Sequence, residues 1–259
     1  MYVLGLDVGS ASSKVVIMDD DKNIVSYSVV QVGTGSSGPQ RALDEALSKV
    51  NLKLEDMTKI VATGYGRYAF EKADKQISEI SCHAKGIFHL VPTARTIIDI
   101  GGQDAKAIRL DGRGMVSQFY MNDKCAAGTG RFLDVMARVL EIDITQMEEY
   151  DAKATEVVNV SSTCTVFAES EVISHLSNNI PKENIIAGIH ASVASKACGL
   201  AYRTGLEDDI VMGGGVAQNR GVVRAISREL RRPVIVAPNP QISGAIGAAL
   251  FAYDEAKKH

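Results

Sequence analysis

The sequence has no tryptophan, only 5% aromatic residues and no excess of basic residues. Its 28 Lys and Arg residues face 31 Asp and Glu residues, which gives a formal net charge of −3. A protein that reads nucleic acid needs cations to neutralise phosphates, so this balance argues against a nucleic-acid partner. No uninterrupted apolar run approaches the roughly 20 residues of a membrane-spanning helix, so no membrane partner is expected.

Cysteine is also scarce, with four residues in a chain of 259. The first residues, Met1 to Asp7, lack the basic start and the long apolar stretch of a signal peptide. We therefore expect a cytoplasmic protein whose thiols stay reduced, and not a disulfide framework. The composition, with 46% hydrophobic and 23% charged residues, is that of an ordinary globular protein with a sizeable core.

Glycine is plentiful, with 23 residues that cluster beside apolar runs. The first cluster follows a β-rich run that ends at Asp7. Four identities recur at a constant offset of 92 residues: Asp7 and Asp99, Gly9 and Gly101, Lys14 and Lys106, Asp19 and Asp111. This repeat predicts two related α/β halves, which we place at residues 1–93 and 94–259.

Strand-like runs alternate with segments of helical spacing, which favours layered sheets covered by helices. The spacing of apolar residues predicts helices at 39–50, 77–90, 129–140, 166–176, 184–202, 220–230 and 244–253.

Three glycine turns follow predicted strands and indicate a site for a nucleotide polyphosphate. Because glycine lets backbone N–H groups approach an anion, these turns suit phosphates. The turns contain, in order, Ser10, Ala11, Ser12, Ser13 and Lys14; Gly101, Gly102, Gln103 and Asp104; and Gly213, Gly214 and Gly215. Asp7 and Asp99 are candidate Mg²⁺ ligands, one from each half. The other interpretation is that all three are ordinary structural turns.

Two cysteines, Cys125 and Cys164, stand shortly before predicted helices. A helix N-terminus stabilises negative charge, so two thiolates there suit a metal or an iron–sulfur cluster. A four-iron cluster needs four thiolates. Either Cys82 and Cys198 complete the set within one chain, or two chains supply two cysteines each across a two-fold axis. The alternative is that each cysteine is a packed core residue.

Three segments carry a family resemblance: Ile98–Asp104, Asn122–Phe132 and Ser161–Glu171. They resemble the activators of 2-hydroxyacyl-CoA dehydratases, which belong to the BadF/BadG/BcrA/BcrD ATPases. The glycine turns are also similar to those of the wider actin, hexokinase and Hsp70 superfamily. The resemblance extends from the first hairpin to residues 244–249.

The resemblance implies two duplicated actin-like, ribonuclease H-like domains with ATP and Mg²⁺ in the cleft between them. It assigns the catalytic roles to Asp7, Asp99, Gln103 and Asp104. It assigns nucleotide binding to residues 10–14, 101–102 and 213–215, and to Gln218 and Gln241.

The resemblance further implies that Cys125 and Cys164 are the ligands of one [4Fe-4S] cluster shared by a homodimer. In that family the cluster takes an electron from a ferredoxin or flavodoxin. ATP hydrolysis then drives the electron to an iron–sulfur dehydratase that acts on a 2-hydroxyacyl-CoA.

Three other functions remain open from the sequence. The ATPase subunits of benzoyl-CoA reductase share much of the pattern. A small-molecule kinase of the same superfamily would need no iron, although the sequence offers no insertion for a substrate domain. A regulatory ATP-binding module would not require two metal-facing carboxylates such as Asp7 and Asp99.

Overall fold

A computed structural model describes residues 1–161 and 163–258. The described part contains two five-stranded sheets and eight α-helices. The strands are β1 Tyr2–Val8, β2 Ser13–Met18, β3 Ile24–Val30, β4 Met57–Thr63, β5 Lys75–Gln76, β6 Thr96–Ile100, β7 Ala105–Leu110, β8 Val116–Asn122, β9 Ile210–Gly213 and β10 Val234–Val236. The helices are α1 Gly38–Ser48, α2 Glu79–Leu90, α3 Gly130–Val139, α4 Met147–Ala152, α5 Thr165–Ser177, α6 Lys182–Thr204, α7 Arg220–Leu230 and α8 Ser243–Ala256.

The two sheets have the same topology. The first sheet has the strand order β3-β2-β1-β4-β5. The second sheet has the corresponding order β8-β7-β6-β9-β10, in which β6 takes the central place of β1. In each sheet the central strand pairs antiparallel with the next strand in the chain and parallel with a later strand. The register also repeats, because Asp7 lies opposite Lys14 and Asp99 lies opposite Lys106. The predicted α/β fold with two related halves is therefore confirmed.

Backbone contacts divide the chain into two compact units. Unit 1 comprises Met1–Ala94, Leu110–Val116 and Ala237–His259, and unit 2 comprises Arg95–Arg109 and Ser117–Val236. The C-terminal segment with α8 thus belongs to the same unit as the N-terminal sheet. The two units are interleaved along the chain. The boundary between the repeated halves, placed at residues 93 and 94, remains a prediction from the sequence.

The core of unit 1 lies on both faces of its sheet. Successive residues of β1 point to opposite faces, so Leu4 and Leu6 pack on the side of α1, while Val3 packs on the side of α8. Gly5 and Gly247 allow α8 to approach very closely, because a side chain at either position would collide with backbone of Ala245 or Cys82. The helix α8 therefore rests directly on β1 and α2.

The core of unit 2 is built around α6, which has 23 residues, many of them fully buried. Within the described residues, α6 is the one helix that is long and apolar enough to cross a membrane. However, 72% of its most apolar stretch is buried inside the protein. Ile98 of β6, Phe132 of α3 and Ile189 of α6 belong to one continuous apolar cluster, as expected for a core helix.

The seven helices expected from apolar spacing are all present, with ends that differ by a few residues. The residue pattern did not predict α4 or the two-residue strand β5. Both are very short, and a helix of six residues has too few positions to show a period.

Candidate functional site

The first hairpin of unit 1 positions Asp7 and Lys14 side by side. Lys14 Nζ lies 3.3 Å from Asp7 Oδ2, and both side chains are largely buried. The loop between them closes through the Gly9 amide, which donates to the Ser12 carbonyl over 3.0 Å. Ser13 Oγ donates to the Val32 carbonyl over 2.9 Å, so this hydroxyl holds the neighbouring loop.

The remaining predicted residues of this loop differ in exposure. Ser12 is buried, Ser10 is half-buried and Ala11 is exposed. An anion bound at this loop would thus contact the backbone of residues 9–12 and the side chains of Ser10 and Ala11, which are not buried. Gln241 also lies in unit 1, half-buried, in a short 3₁₀ turn before α8.

The second hairpin, in unit 2, has the same arrangement with one more carboxylate. Lys106 Nζ lies 2.8 Å from Asp104 Oδ2 and 3.5 Å from Asp99 Oδ1. Lys106 and Asp99 are almost fully buried, and Asp104 is 21% exposed. The loop closes through the Gly101 amide, which donates to the Asp104 carbonyl, and Gln103 is exposed at its tip. One lysine here faces two carboxylates, so the cluster carries a net negative charge suited to a divalent cation.

This second hairpin is bonded to the N-terminus of α3. The Gly130 amide donates to the Gly101 carbonyl over 2.9 Å, and the Arg131 amide donates to the Gly102 carbonyl over 2.8 Å. These are first-turn amides, which have no acceptor within their own helix. The hairpin and α3 therefore form one hydrogen-bonded piece.

Cys125 lies in the loop that joins β8 to α3. Its carbonyl accepts a hydrogen bond from Asn122 Nδ2 over 3.0 Å, and Thr129 Oγ1 donates to the Ala126 carbonyl over 2.6 Å. The loop also uses Gly128 with a φ of +85°, which favours glycine. The thiol of Cys125 is free and half-buried, five residues before α3 begins.

Cys164 is the N-cap residue of α5. Its backbone is extended, and its carbonyl accepts the Ala168 amide over 3.1 Å. The thiol is free and half-buried, and the exposed apolar side chains Val166 and Phe167 follow it on the helix. Ser162 of the same segment lies outside the described residues.

The other two cysteines are core residues of their units. Burial raises the pKa of the Cys82 thiol to about 12, and the pKa of the Cys198 thiol also rises to about 12 through burial. Both side chains are enclosed in apolar cores, whereas reactive thiols lie in partly exposed surroundings. Among residues 1–161 and 163–258, no three Cys, His, Asp or Glu side chains group together as a metal site.

The third glycine turn connects β9 to α7 in unit 2. Gly214 has a φ of +80°, and a side chain there would collide with the backbone of Ile100. A short 3₁₀ turn, Gly215–Gln218, follows and carries Gln218 exposed at its end. Asn219 then caps α7 by accepting the amides of residues 221 and 222. The conformation thus requires glycine at position 214, where the backbone is buried, and the neighbouring Gly215 is half-buried.

A buried polar network behind this turn was not anticipated from the sequence. His190 is fully buried, with Nδ1 at 3.1 Å from Asp151 Oδ1 and Nε2 at 3.2 Å from Asn219 Nδ2. Arg224 donates to Asp151 Oδ2 over 2.6 Å. Burial opposes ionisation of Asp151, but the hydrogen bonds from His190 and Arg224 outweigh it and lower the pKa of the carboxyl. The network ties α4, α6 and α7 together next to the glycine turn.

The BadF/BadG/BcrA/BcrD ATPase family matches this chain over residues 4–252. The chain belongs to this family. It is 70% identical over 258 residues to the activator of lactoyl-CoA dehydratase from Anaerotignum propionicum, and the match covers 100% of both chains. The resemblance inferred from the three sequence segments is therefore confirmed, and the chain is identified as an ATPase of this family.

Solved structures agree with this assignment. The activator of 2-hydroxyisocaproyl-CoA dehydratase from Clostridium difficile, solved with bound ADPNP, is 53% identical, with a TM-score of 0.97 over 100% of this chain and 96% of that chain. A ROK family glucokinase from Streptomyces griseus, only 13% identical, has a TM-score of 0.60 over 98% of this chain and 100% of that chain. The second likeness concerns the fold alone and agrees with the predicted hexokinase-like architecture.

Proposed function

We propose that this ATPase is an activator of a 2-hydroxyacyl-CoA dehydratase, to which it passes an electron from a [4Fe-4S] cluster with hydrolysis of ATP. The observation that carries the proposal is the pair of hydrogen bonds from the first turn of α3 to Gly101 and Gly102. These bonds join a proposed phosphate hairpin to the loop that holds Cys125. A change at the nucleotide can thus reach the loop of the cluster ligand through hydrogen-bonded backbone.

The nucleotide is assigned to the three glycine turns. We propose that the backbone of residues 10–14 and 101–102, together with Lys14, contacts phosphates, and that Gly213–Gly215 with Gln218 and Gln241 contacts the nucleoside. Asp7, Asp99 and Asp104 would hold Mg²⁺ directly or through water, and Gln103 would face the terminal phosphate. The buried carboxylates beside lysines fit a hydrated Mg²⁺, which takes few protein ligands.

The cluster is assigned to Cys125 and Cys164. Both thiols are free and half-buried, whereas the two other thiols are buried in separate cores. Two cysteines per chain require a second copy to complete four thiolate ligands, so we propose a homodimer with one shared cluster. When bound, the cluster supplies one-electron redox chemistry. The protein's own part is to hold the two ligand loops at the starts of α3 and α5.

The 70% identity to an activator of lactoyl-CoA dehydratase supports a 2-hydroxyacyl-CoA dehydratase as the partner, and we propose that this dehydratase contains iron and sulfur. We propose a ferredoxin or flavodoxin as the electron donor, and the cytoplasm as the location. Among the alternatives, a kinase would use ATP only with an acceptor molecule, and an activator would hydrolyse ATP without one.

The deciding experiment measures iron and acid-labile sulfide per chain in protein purified without oxygen. We expect about two irons per chain, half of a four-iron cluster. Cys125→Ala and Cys164→Ala should each lose most of the iron yet keep ATP hydrolysis, and neither should reduce the dehydratase. Cys198→Ala is the control and should keep its iron. About four irons per chain, or a Cys125→Ala protein that still reduces the dehydratase, would contradict the proposal.

A further inference from the structure

The turn that follows β4 is the unit 1 counterpart of the third glycine turn. Thr63 lies opposite Asp7 in unit 1, as Gly213 lies opposite Asp99 in unit 2. In both units the next residue is a glycine with positive φ, +89° at Gly64 and +80° at Gly214. A short 3₁₀ turn then follows in each case. The two segments also share Ile60 with Ile210 and Val61 with Val211, and the equivalence rests on the matching sheets.

This turn packs directly against the first hairpin. The Gly66 amide donates to the Val8 carbonyl over 2.8 Å, and a side chain at Gly64 would meet Asp7 Oδ1. Thr34 lies against Gly66, and its amide donates to the Gly9 carbonyl over 2.9 Å. Residues of the turn are therefore immediate neighbours of the proposed phosphate loop within the same unit.

The turn carries a cation without a counter-ion. Arg67 is half-buried, with Nη1 donating to the Gly64 carbonyl over 3.0 Å and Nη2 donating to the Tyr68 hydroxyl over 3.4 Å. Its guanidinium also lies over the Tyr68 ring, 4.6 Å from the centroid. All of these partners are neutral, and no carboxylate in the described residues pairs with Arg67.

Unlike Arg67, the lysines of the two hairpins have carboxylate partners. Lys14 is paired with Asp7, and Lys106 is paired with two aspartates. A guanidinium has five N–H donors in a fixed fork that matches phosphate oxygens. Arg67 is therefore a cation beside the first hairpin that none of the described carboxylates neutralises, so its charge can meet an anion.

We propose that Arg67 binds the terminal phosphoryl group of ATP and stabilises the charge that develops on it during hydrolysis. This inference rests on the proposed ATPase function. The water oxygen forms a new bond to the γ-phosphorus, the bond to the β-phosphate oxygen breaks, and the products are ADP, inorganic phosphate and a proton. Arg67 supplies positive charge and N–H donors, and Tyr68 acts as a positioning residue that holds the guanidinium over the turn.

The test compares Arg67→Gln and Arg67→Lys with Arg41→Gln, an exposed arginine on α1, as the control. Removing a donor to developing charge commonly lowers kcat by about 10²–10³-fold, and we expect Arg67→Gln to do so. Its affinity for the β,γ-imido analogue of ATP should fall about tenfold, while its affinity for ADP should stay within about twofold. Arg67→Lys should recover part of the kcat, and Arg41→Gln should match the wild type.

Several results would overturn the inference. If Arg67→Gln keeps its kcat within about threefold, Arg67 does not act on the terminal phosphoryl group. If ADP and the imido analogue lose affinity equally, Arg67 only supports the shape of the loop. If Arg67→Gln is poorly folded, Arg67→Lys takes its place, and its affinity for the imido analogue is compared with its affinity for ADP in the same way. A wild-type protein that does not hydrolyse ATP would refute the proposed function itself, which separates the two failures.

Discussion

Replacing Lys106 with methionine is the sharpest test of how the second hairpin is held together. Methionine keeps the length of the buried stem and removes the positive charge. The substitution leaves Asp99 and Asp104 facing each other without the cation that now lies 3.5 Å and 2.8 Å from them. Lys14→Met is the matched experiment in unit 1, where one carboxylate at 3.3 Å loses its partner.

The magnitude follows from these distances. At an effective dielectric constant of about 20, the attractions in unit 2 are about 6 and about 5 kcal/mol before desolvation is considered. The loss is limited because one carboxyl can take up a proton, at a cost of about 4 kcal/mol at pH 7. We therefore expect Lys106→Met to lower the free energy of unfolding by about 3–4 kcal/mol. Lys14→Met should lose about 1–3 kcal/mol, because its pair involves one carboxylate and is more exposed.

The sign of the pH dependence follows from the extra proton. At pH 7 the folded Lys106→Met protein binds one more proton than its unfolded chain. Its loss in free energy of unfolding, relative to the wild type, should therefore shrink by about 1.4 kcal/mol per pH unit from pH 7 to pH 5. Urea denaturation of the variant and the wild type at pH 7 and pH 5, without nucleotide or divalent cations, measures this difference in the free energy of unfolding. A loss for Lys106→Met below about 1 kcal/mol, or one that does not change with pH, would refute the reasoning.

Three further predictions concern the thiols, the third glycine turn and the network behind it. Cys82 and Cys198 should resist iodoacetamide at pH 8 in the folded, cluster-free protein, because burial raises the pKa of each thiol to about 12. Gly214→Ala should lower the free energy of unfolding by about 2–5 kcal/mol and weaken nucleotide binding, since strain and overpacking add up there. Arg224→Gln should cost about 1 kcal/mol at pH 7 and less at pH 3, because the stability that accompanies the lowered pKa of Asp151 begins to be lost below 3.8, the ordinary pKa of that carboxyl.

Each of these predictions has its own control. Peptide mapping after alkylation should find Cys125 and Cys164 modified first, and early labelling of the two buried thiols would contradict the assignment. Gly199→Ala is the control for Gly214→Ala, because a side chain at Gly199 meets nothing within 4 Å, and it should be neutral or slightly stabilising. A deficit for Arg224→Gln that is equal at pH 3 and pH 7 would show that lost packing, and not charge, accounts for it.

Features that depend on neighbouring residues could be predicted from the sequence. The repeat of Asp7 and Lys14 at Asp99 and Lys106 was visible because each hairpin is a continuous segment whose spacing fixes its register. The longer helices were predictable for the same reason, since apolar spacing is a local property. The family also followed from continuous segments. The roles of the individual site residues remain predictions.

Tertiary structure decided the features that distant segments build together. The C-terminal helix α8 joins unit 1 because glycines at positions 5 and 247 allow close packing, which no local pattern reveals. The turn at Gly64 became equivalent to the turn at Gly214 once the two sheets could be aligned strand by strand. That alignment also places Arg67 in the short 3₁₀ turn that corresponds to Gly215–Gln218. Local spacing records which residues are neighbours in the chain, whereas packing decides which loops share one edge of a sheet.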